Sequence, residues 1–360
     1  MNVFDRMELI GKLGSDGSSG YGSHMHIPKR PSTSSSSDDS AFIEEEEIIP
    51  DSGSTPIKYD DDKLFLISYV PLRLLVTTIE NKEHKLWVNP RPSSPRYCRP
   101  VRFVYAKEDK QLVKKEISEM NQEMDNLKPT VLEAFLNIEV HHQLHFTMVD
   151  GKTINILTDT ANSRCYICNA GPKQMADLST IKNRKITEGY LKYGLSTLHG
   201  WIKCLDCILH ISYKLELKTA TVRGADVEQR AIIQHRKKEI PAKLKDALGI
   251  SVDQVCCGSG TSNTGNVARK FFSNWSIVSD ITGVDGELIR RLGIIMIALS
   301  SAHAINVTKF DEYCWDTVVR MMDLYPWFQM FPSVHKLLVH EEHTWRTSNP
   351  GDTGSYWNTQ

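Results

Sequence analysis

Cys165-Tyr-Ile-Cys168 spaces two thiols so that both thiolates can reach one zinc ion. Redox exchange between the thiols, or burial of both as small core residues, are the other readings of the pair. A closed zinc site takes two more ligands from elsewhere in the chain. His335 and His340, in Ser333-Val-His-Lys-Leu-Leu-Val-His340, are one candidate pair. They stand five positions apart, so a regular helix turns them away from each other, and they converge only if the helix ends or distorts there. Cys204-Leu-Asp-Cys207 is the rival pair. It falls inside an apolar repeat of helical spacing (Leu198, Trp201, Ile202, Leu205, Ile208, Leu209), which favours core packing over ligation.

Two aspartates stand beside glycine where a strand could end. Asp16 lies in Ser15-Asp-Gly-Ser-Ser-Gly20 and Asp150 in Thr147-Met-Val-Asp-Gly-Lys152. A carboxylate next to glycine can approach a cation without steric obstruction. The ordinary readings are a flexible loop for the first and an Asp-Gly hairpin turn for the second. A third constellation is basic: Arg223, Arg230, Arg236, Lys237, Lys238, Lys243 and Lys245, then Arg269-Lys270. Such bases can neutralise phosphates, although a solvated helix face reads the same way.

The elements that must position these groups follow from pattern. Lys63–Val70 reads as a strand, Val101–Tyr105 as another and His145–Val149 as a third. Between them lie a proline-rich loop at 89–100 and a polar helix over 108–126, with Leu112, Ile117, Met120 and Met124 toward one side. Residues 130–142 read as helical. From Leu195 onward the chain is mostly helical, with a basic amphipathic stretch at 226–248 interrupted by Pro241, a flexible loop at 258–265, and apolar helices near 285–304 and 308–324. Strands first and helices after predict an α/β or α+β chain.

Length and composition set the frame. The 360 residues suit one large or two modest domains, and a hydrophobic content of 40% can supply a core. A net charge of −1 does not by itself mark a nucleic-acid partner. Residues 27–62, rich in serine and acids, predict a disordered insert. No signal peptide opens the chain, and the apolar run Gly293–Leu299 is too short to span a bilayer, so an intracellular protein with no membrane partner is expected. The eight cysteines are then thiols or metal ligands in preference to disulfides.

Taken in order, several segments resemble the Transib-type DNA transposases, the family that includes the catalytic subunit of the V(D)J recombinase. They are Asp16-Gly-Ser-Ser-Gly20, Asn89-Pro-Arg-Pro-Ser-Ser-Pro-Arg-Tyr-Cys-Arg-Pro100, Met148-Val-Asp-Gly-Lys152, Cys165-Tyr-Ile-Cys-Asn-Ala-Gly-Pro-Lys173, Leu198-His199, Gly265-Asn-Val-Ala-Arg-Lys270 and Ser333–His340. The match covers most of residues 10–343 outside the insert.

The resemblance implies an α/β fold: an RNase H-like catalytic core with a mostly helical, zinc-stapled insertion. The core would take residues 1–26 and 63–164, the insertion 165–343, and residues 344–360 would form a disordered tail. Asp16 and Asp150 match the family's first two catalytic carboxylates, which hold Mg²⁺ or Mn²⁺ for in-line displacement at phosphorus. Cys165, Cys168, His335 and His340 match its structural zinc ligands. DNA, a second copy of the chain, an accessory recombinase subunit and the nucleus are the implied partners and location.

Two departures stand out. The family's third carboxylate, a Glu on a later helix, has no counterpart, because Glu341 and Glu342 fall too close to His340 and a polar tail follows. The family's DNA-end-binding region is also missing. The expectation is therefore a truncated or decayed copy with impaired activity, and the alternative is a non-catalytic, zinc-stabilised DNA-binding protein derived from such an element.

Overall fold

The computed structural model describes residues 4–19, 63–80, 82–133, 138–194, 196–219, 226–254, 261–301 and 305–340. The expected insert, the tail, Arg223, Glu341 and Glu342 lie outside the described residues. The chain is mixed α/β with a mixed sheet.

Strand β1 (Phe4–Ser19) is central. It pairs antiparallel with β2 (Lys63–Thr78) and parallel with β6 (Ile138–Met148). Beyond β2 lie β3 (Glu83–Val88) and β4 (Arg99–Val104), and β5 (Thr130–Leu132) closes the far side against β6. One face of the sheet buries Leu13, Phe65, Ile67 and Phe146 against helix α1 (Lys110–Asp125). That helix starts where Asp109 accepts the Leu112 N–H at 2.8 Å, and it presents Leu112, Val113, Ile117 and Met120 to the sheet. Arg102 on β4 ties the two layers together, donating to Glu116 at 3.2 Å and to Glu119 at 3.1 Å.

After a short helix α2 (Gly151–Leu157) and the four-residue α3 (Leu178–Ile181), the chain is helical. Helix α4 (Thr197–Lys214) is the axis of this part. Around it pack α5 (Val227–Leu248), α6 (Gly265–Ser273), α7 (Trp275–Thr282), α8 (Gly286–Ser300) and α10 (Pro332–Val339), with α9 (Val307–Leu324) against α8 and α10. One buried cluster runs from Leu13 in the sheet to Leu338 in α10, so helices and sheet share a core. Among the described residues no helix is long and apolar enough to cross a membrane.

Three expectations change. Most of the described residues in 130–142 are strand, not helix: Thr130–Leu132 is β5 and Ile138 onward is β6, whose register with β1 runs from Met7↔Val140 to Gly14↔Met148. Pairing with a distant strand overrides local helical preference there. Asp150-Gly151 is not a hairpin turn, because Asp150 is the N-cap of α2. Pro241 does not interrupt α5, which continues through it for 22 residues. A capping box of Asp226 and Gln229, a left-handed Gly249 after the last turn, and burial of Ile233, Ile240, Leu244 and Leu248 hold the helix on both sides of the proline.

Candidate functional site

The first cluster is Cys165, Cys168, His335 and His340. All four are buried, and one ligand atom from each lies within 4.8 Å of every other. The two cysteines sit in a tight turn in which Cys165 O accepts the Asn169 N–H at 2.7 Å and Cys165 N–H donates to Ala170 O at 3.0 Å. Asn169 takes a left-handed φ of 54°, which lets the chain fold back under the thiols. Arg184 Nε donates to Cys168 O at 3.2 Å and fixes the turn from outside.

The histidines converge because α10 ends between them. His335 is inside the helix, while His340 is the C-cap, at φ −119° and ψ 8°. The two rings meet at 5.0 Å, and His335 Nε2 lies 3.3 Å from Cys168 Sγ. Burial and then the neighbouring Cys168 push the Cys165 thiol well above its ordinary value. Hydrogen bonding from Cys165, with further help from His335 and His340, holds Cys168 well below its own. One thiol poised to lose its proton beside two imidazoles is a donor set able to hold a metal ion.

Cys204 and Cys207 are fully buried in α4 and are not part of this cluster. Burial raises Cys204 to about 12 and pushes Cys207 well up, so both are core thiols.

The second cluster is the acid pair. Asp16 and Asp150 each follow the last paired residues of parallel neighbours, Gly14 and Met148, by two positions. A Cβ on Gly14 would sit 2.2 Å from Met148 O, so only glycine permits this approach of the two strands. Asp150 Oδ1 accepts the Thr153 N–H at 2.7 Å. Although Asp16 has an outer edge open to solvent, partial desolvation and then the Asp150 charge hold its carboxyl above the ordinary 3.8, against the opposing pull of the Gly17 N–H, His199 and Lys152.

No protein-family model and no curated protein matches this chain.

The fold brings three further groups to the acid pair that sequence reading did not assign. A Cβ on Gly17 would fall 2.5 Å from Glu108 Oε2, so Glu108 lies directly against the residue after Asp16. Lys152 Nζ reaches Glu108 Oε1 at 3.5 Å. His199 is near enough to Asp16 to act on its charge. Glu108 stands one residue before the cap of α1, and nothing in its local sequence announces that placement.

The basic set divides. Arg230, Lys238 and Lys245 are exposed along α5, and Lys270 is exposed on α6. Lys237 is exposed with its amine 5.9 Å from the Tyr213 ring, and Lys243 pairs with Glu239 at 2.7 Å. Arg269 lies 5.6 Å from the Trp201 ring. Arg236 is different from the phosphate-facing residue expected. Its three nitrogens donate to Ser212 O at 2.7 Å, Glu216 Oε1 at 2.8 Å and Thr282 O at 2.9 Å, so it clamps α4, α5 and α7 together.

Proposed function

We propose that this protein is a Transib-like DNA transposase or recombinase, with an RNase H-like core carrying a divalent-cation site and a helical region stapled by structural zinc. The observation that carries the reading is the parallel pairing of β1 with β6, which delivers Asp16 and Asp150 from the same end of the sheet. An RNase H-like sheet brings its first two catalytic acids together in this way.

The donor sets fit the ions. Hard divalent cations take carboxylate oxygens, and Asp16, Asp150 and Glu108 lie close together with Asp16 already raised by Asp150. Zinc takes thiolates and imidazoles, and the buried Cys/His cluster offers both, with the second ring nitrogen of His335 left without a protein partner. Bound Mg²⁺ or Mn²⁺ would supply charge stabilisation at phosphorus. Asp16 and Asp150 would hold it, Lys152 would offset the Glu108 charge, and Arg230, Lys238, Lys245 and Lys270 would contact phosphates without reading bases. A nuclear location and assembly with a second copy or an accessory subunit belong to the same reading.

The test is nicking of supercoiled plasmid by the zinc-loaded chain in Mg²⁺ or Mn²⁺. Slow, metal-dependent nicking that Asp150→Asn abolishes is the expected result. A second reading is a non-catalytic, zinc-stabilised DNA-binding protein, favoured by the structural task Asp150 performs at the start of α2. DNA binding with no cleavage under any metal would establish it in place of the first.

A further inference from the structure

A small cavity lies beside the acid pair, between the start of α2, the start of α4, α8 and α10. Its polar lining is Ser196, Thr197, His199, Ser333 and Lys336, and no carboxylate lines it. The Asp150 carboxylate, next to the lining residue Gly151, accepts the Thr153 N–H.

The N-terminal turns of two helices open on this space. Helix α4 is 18 residues long and has no acid in its first turn. Its cap, Ser196, accepts the His199 N–H at 3.5 Å and also lies 2.9 Å from His199 Nδ1, which leaves the N–H groups of Thr197 and Leu198 ahead of the capped one. Helix α10 begins after Phe331, which offers no side-chain acceptor to the first turn. The early N–H groups of both helices therefore add positive potential to the cavity. Lys336 adds a basic side chain: it is 4% exposed, with Nζ 4.2 Å from the Tyr166 ring.

The observation that points to a ligand is Thr197. It is 5% exposed, it lines the cavity, and its hydroxyl has no hydrogen-bond partner. A buried hydroxyl without a partner destabilises the fold, because its desolvation is not offset by a hydrogen bond. Here it stands where two helix N-termini and a basic side chain converge, which is the environment an anion needs.

We infer that this cavity is a phosphate-oxyanion site in which the Thr197 hydroxyl, the first-turn N–H groups of α4 and α10, and Lys336 hold the anion. The inference stands on the cavity and does not require the DNA reading. The phosphate is either free or part of a polynucleotide backbone, and the experiment separates the two.

The zinc-loaded full chain is titrated with inorganic phosphate at constant ionic strength, reading the thermal midpoint and the ³¹P line width. The wild-type chain should bind phosphate and gain stability with its concentration. Thr197→Val keeps the side-chain shape and removes the hydroxyl, so phosphate affinity should fall about tenfold. The phosphate-free midpoint should stay level or rise, because an unpaired buried hydroxyl has gone. Thr197→Ser should restore binding, and Ser333→Ala gives an independent readout at the α10 side.

A short single-stranded oligonucleotide forms the second arm. If the natural phosphate is a backbone phosphate, Thr197→Val also weakens the oligonucleotide, with the salt slope little changed because the lost hydroxyl carries no charge. If it is free phosphate, oligonucleotide binding does not change. Either result, with the phosphate loss, supports the site. A wild-type chain indifferent to phosphate, or equal phosphate affinity in Thr197→Val, overturns it. Phosphate binding without any DNA binding would remove the proposed function and leave this site standing, whereas DNA binding with no phosphate effect would do the reverse.

Discussion

Cys168 Sγ and His335 Nε2 lie 3.3 Å apart although 167 positions separate the two residues. The contact joins the turn that follows α2 to the last described helix, and everything between them, α3 through α9, is enclosed by it. A metal at this point therefore closes a very long loop, and its binding energy counts toward folding.

Removing the metal should consequently unfold more than a local turn. Cys168→Ser and His340→Ala are each expected to release the metal and lower the thermal midpoint sharply, since structural zinc in small domains is worth about 10–16 kcal/mol. Metal content by atomic absorption and unfolding with and without chelator check this. Acidification should release the metal, because thiolates and imidazoles bind only when deprotonated. A metal-free chain that still unfolds cooperatively at the same temperature would refute the zinc staple.

The two α4 cysteines predict a different behaviour. Cys204 and Cys207 are both 0% exposed, so neither should react with an alkylating reagent in the native state, whereas half-buried Cys98 should. Cys204→Ser places a hydroxyl in an apolar site and should cost about 1–3 kcal/mol without changing metal stoichiometry. Loss of one metal equivalent in Cys204→Ser would move the metal site to α4.

Helix α5 carries Pro241 in its interior, where the missing N–H leaves a carbonyl one turn earlier without its helical partner. Pro241→Ala restores that bond and should stabilise the protein by up to about 3 kcal/mol. Denaturant unfolding gives the value. A destabilised variant would mean that the proline ring itself is needed to seat Ile240 and Leu244 in the core.

How far these features could be read from sequence depends on how local their causes are. Helices α8 and α9 were legible because apolar residues recur along them at helical spacing, and their observed bounds, Gly286–Ser300 and Val307–Leu324, fall close to those expected. The start of β6 was not, because its reason for being a strand is β1, more than a hundred residues away. The metal cluster was half legible: the Cys165–Cys168 spacing is local, but His340 can reach it only because α10 stops at Val339. Arg236 was misread because charge in a sequence does not reveal that the Ser212 and Thr282 carbonyls await it. Glu108 was missed for the same reason, since only the fold sets it against Gly17.

The acid end of the sheet gives the sharpest prediction. Desolvation and the Asp150 charge raise the Asp16 carboxyl, so the folded chain holds that proton more tightly than the unfolded chain does. The stabilisation is complete below the ordinary 3.8 and is lost as pH rises through the raised folded value. Without divalent cations, Asp16→Asn should therefore raise the thermal midpoint at neutral pH, and the advantage should shrink on acidification. With Mn²⁺ the order should invert: the cation relieves the repulsion in the wild-type chain and gains nothing comparable in Asp16→Asn or Asp150→Asn. Glu108 decides whether the pair has a third member. Glu108→Gln keeps the shape and removes the charge, so Mn²⁺ affinity should fall about tenfold, or about 1.4 kcal/mol. Lys152→Met, by freeing the Glu108 carboxylate from its ion pair, should raise that affinity. Calorimetric titration of the four variants with Mn²⁺ is the measurement. If Glu108→Gln binds as the wild type does while Asp150→Asn does not, the third carboxylate lies elsewhere in the chain.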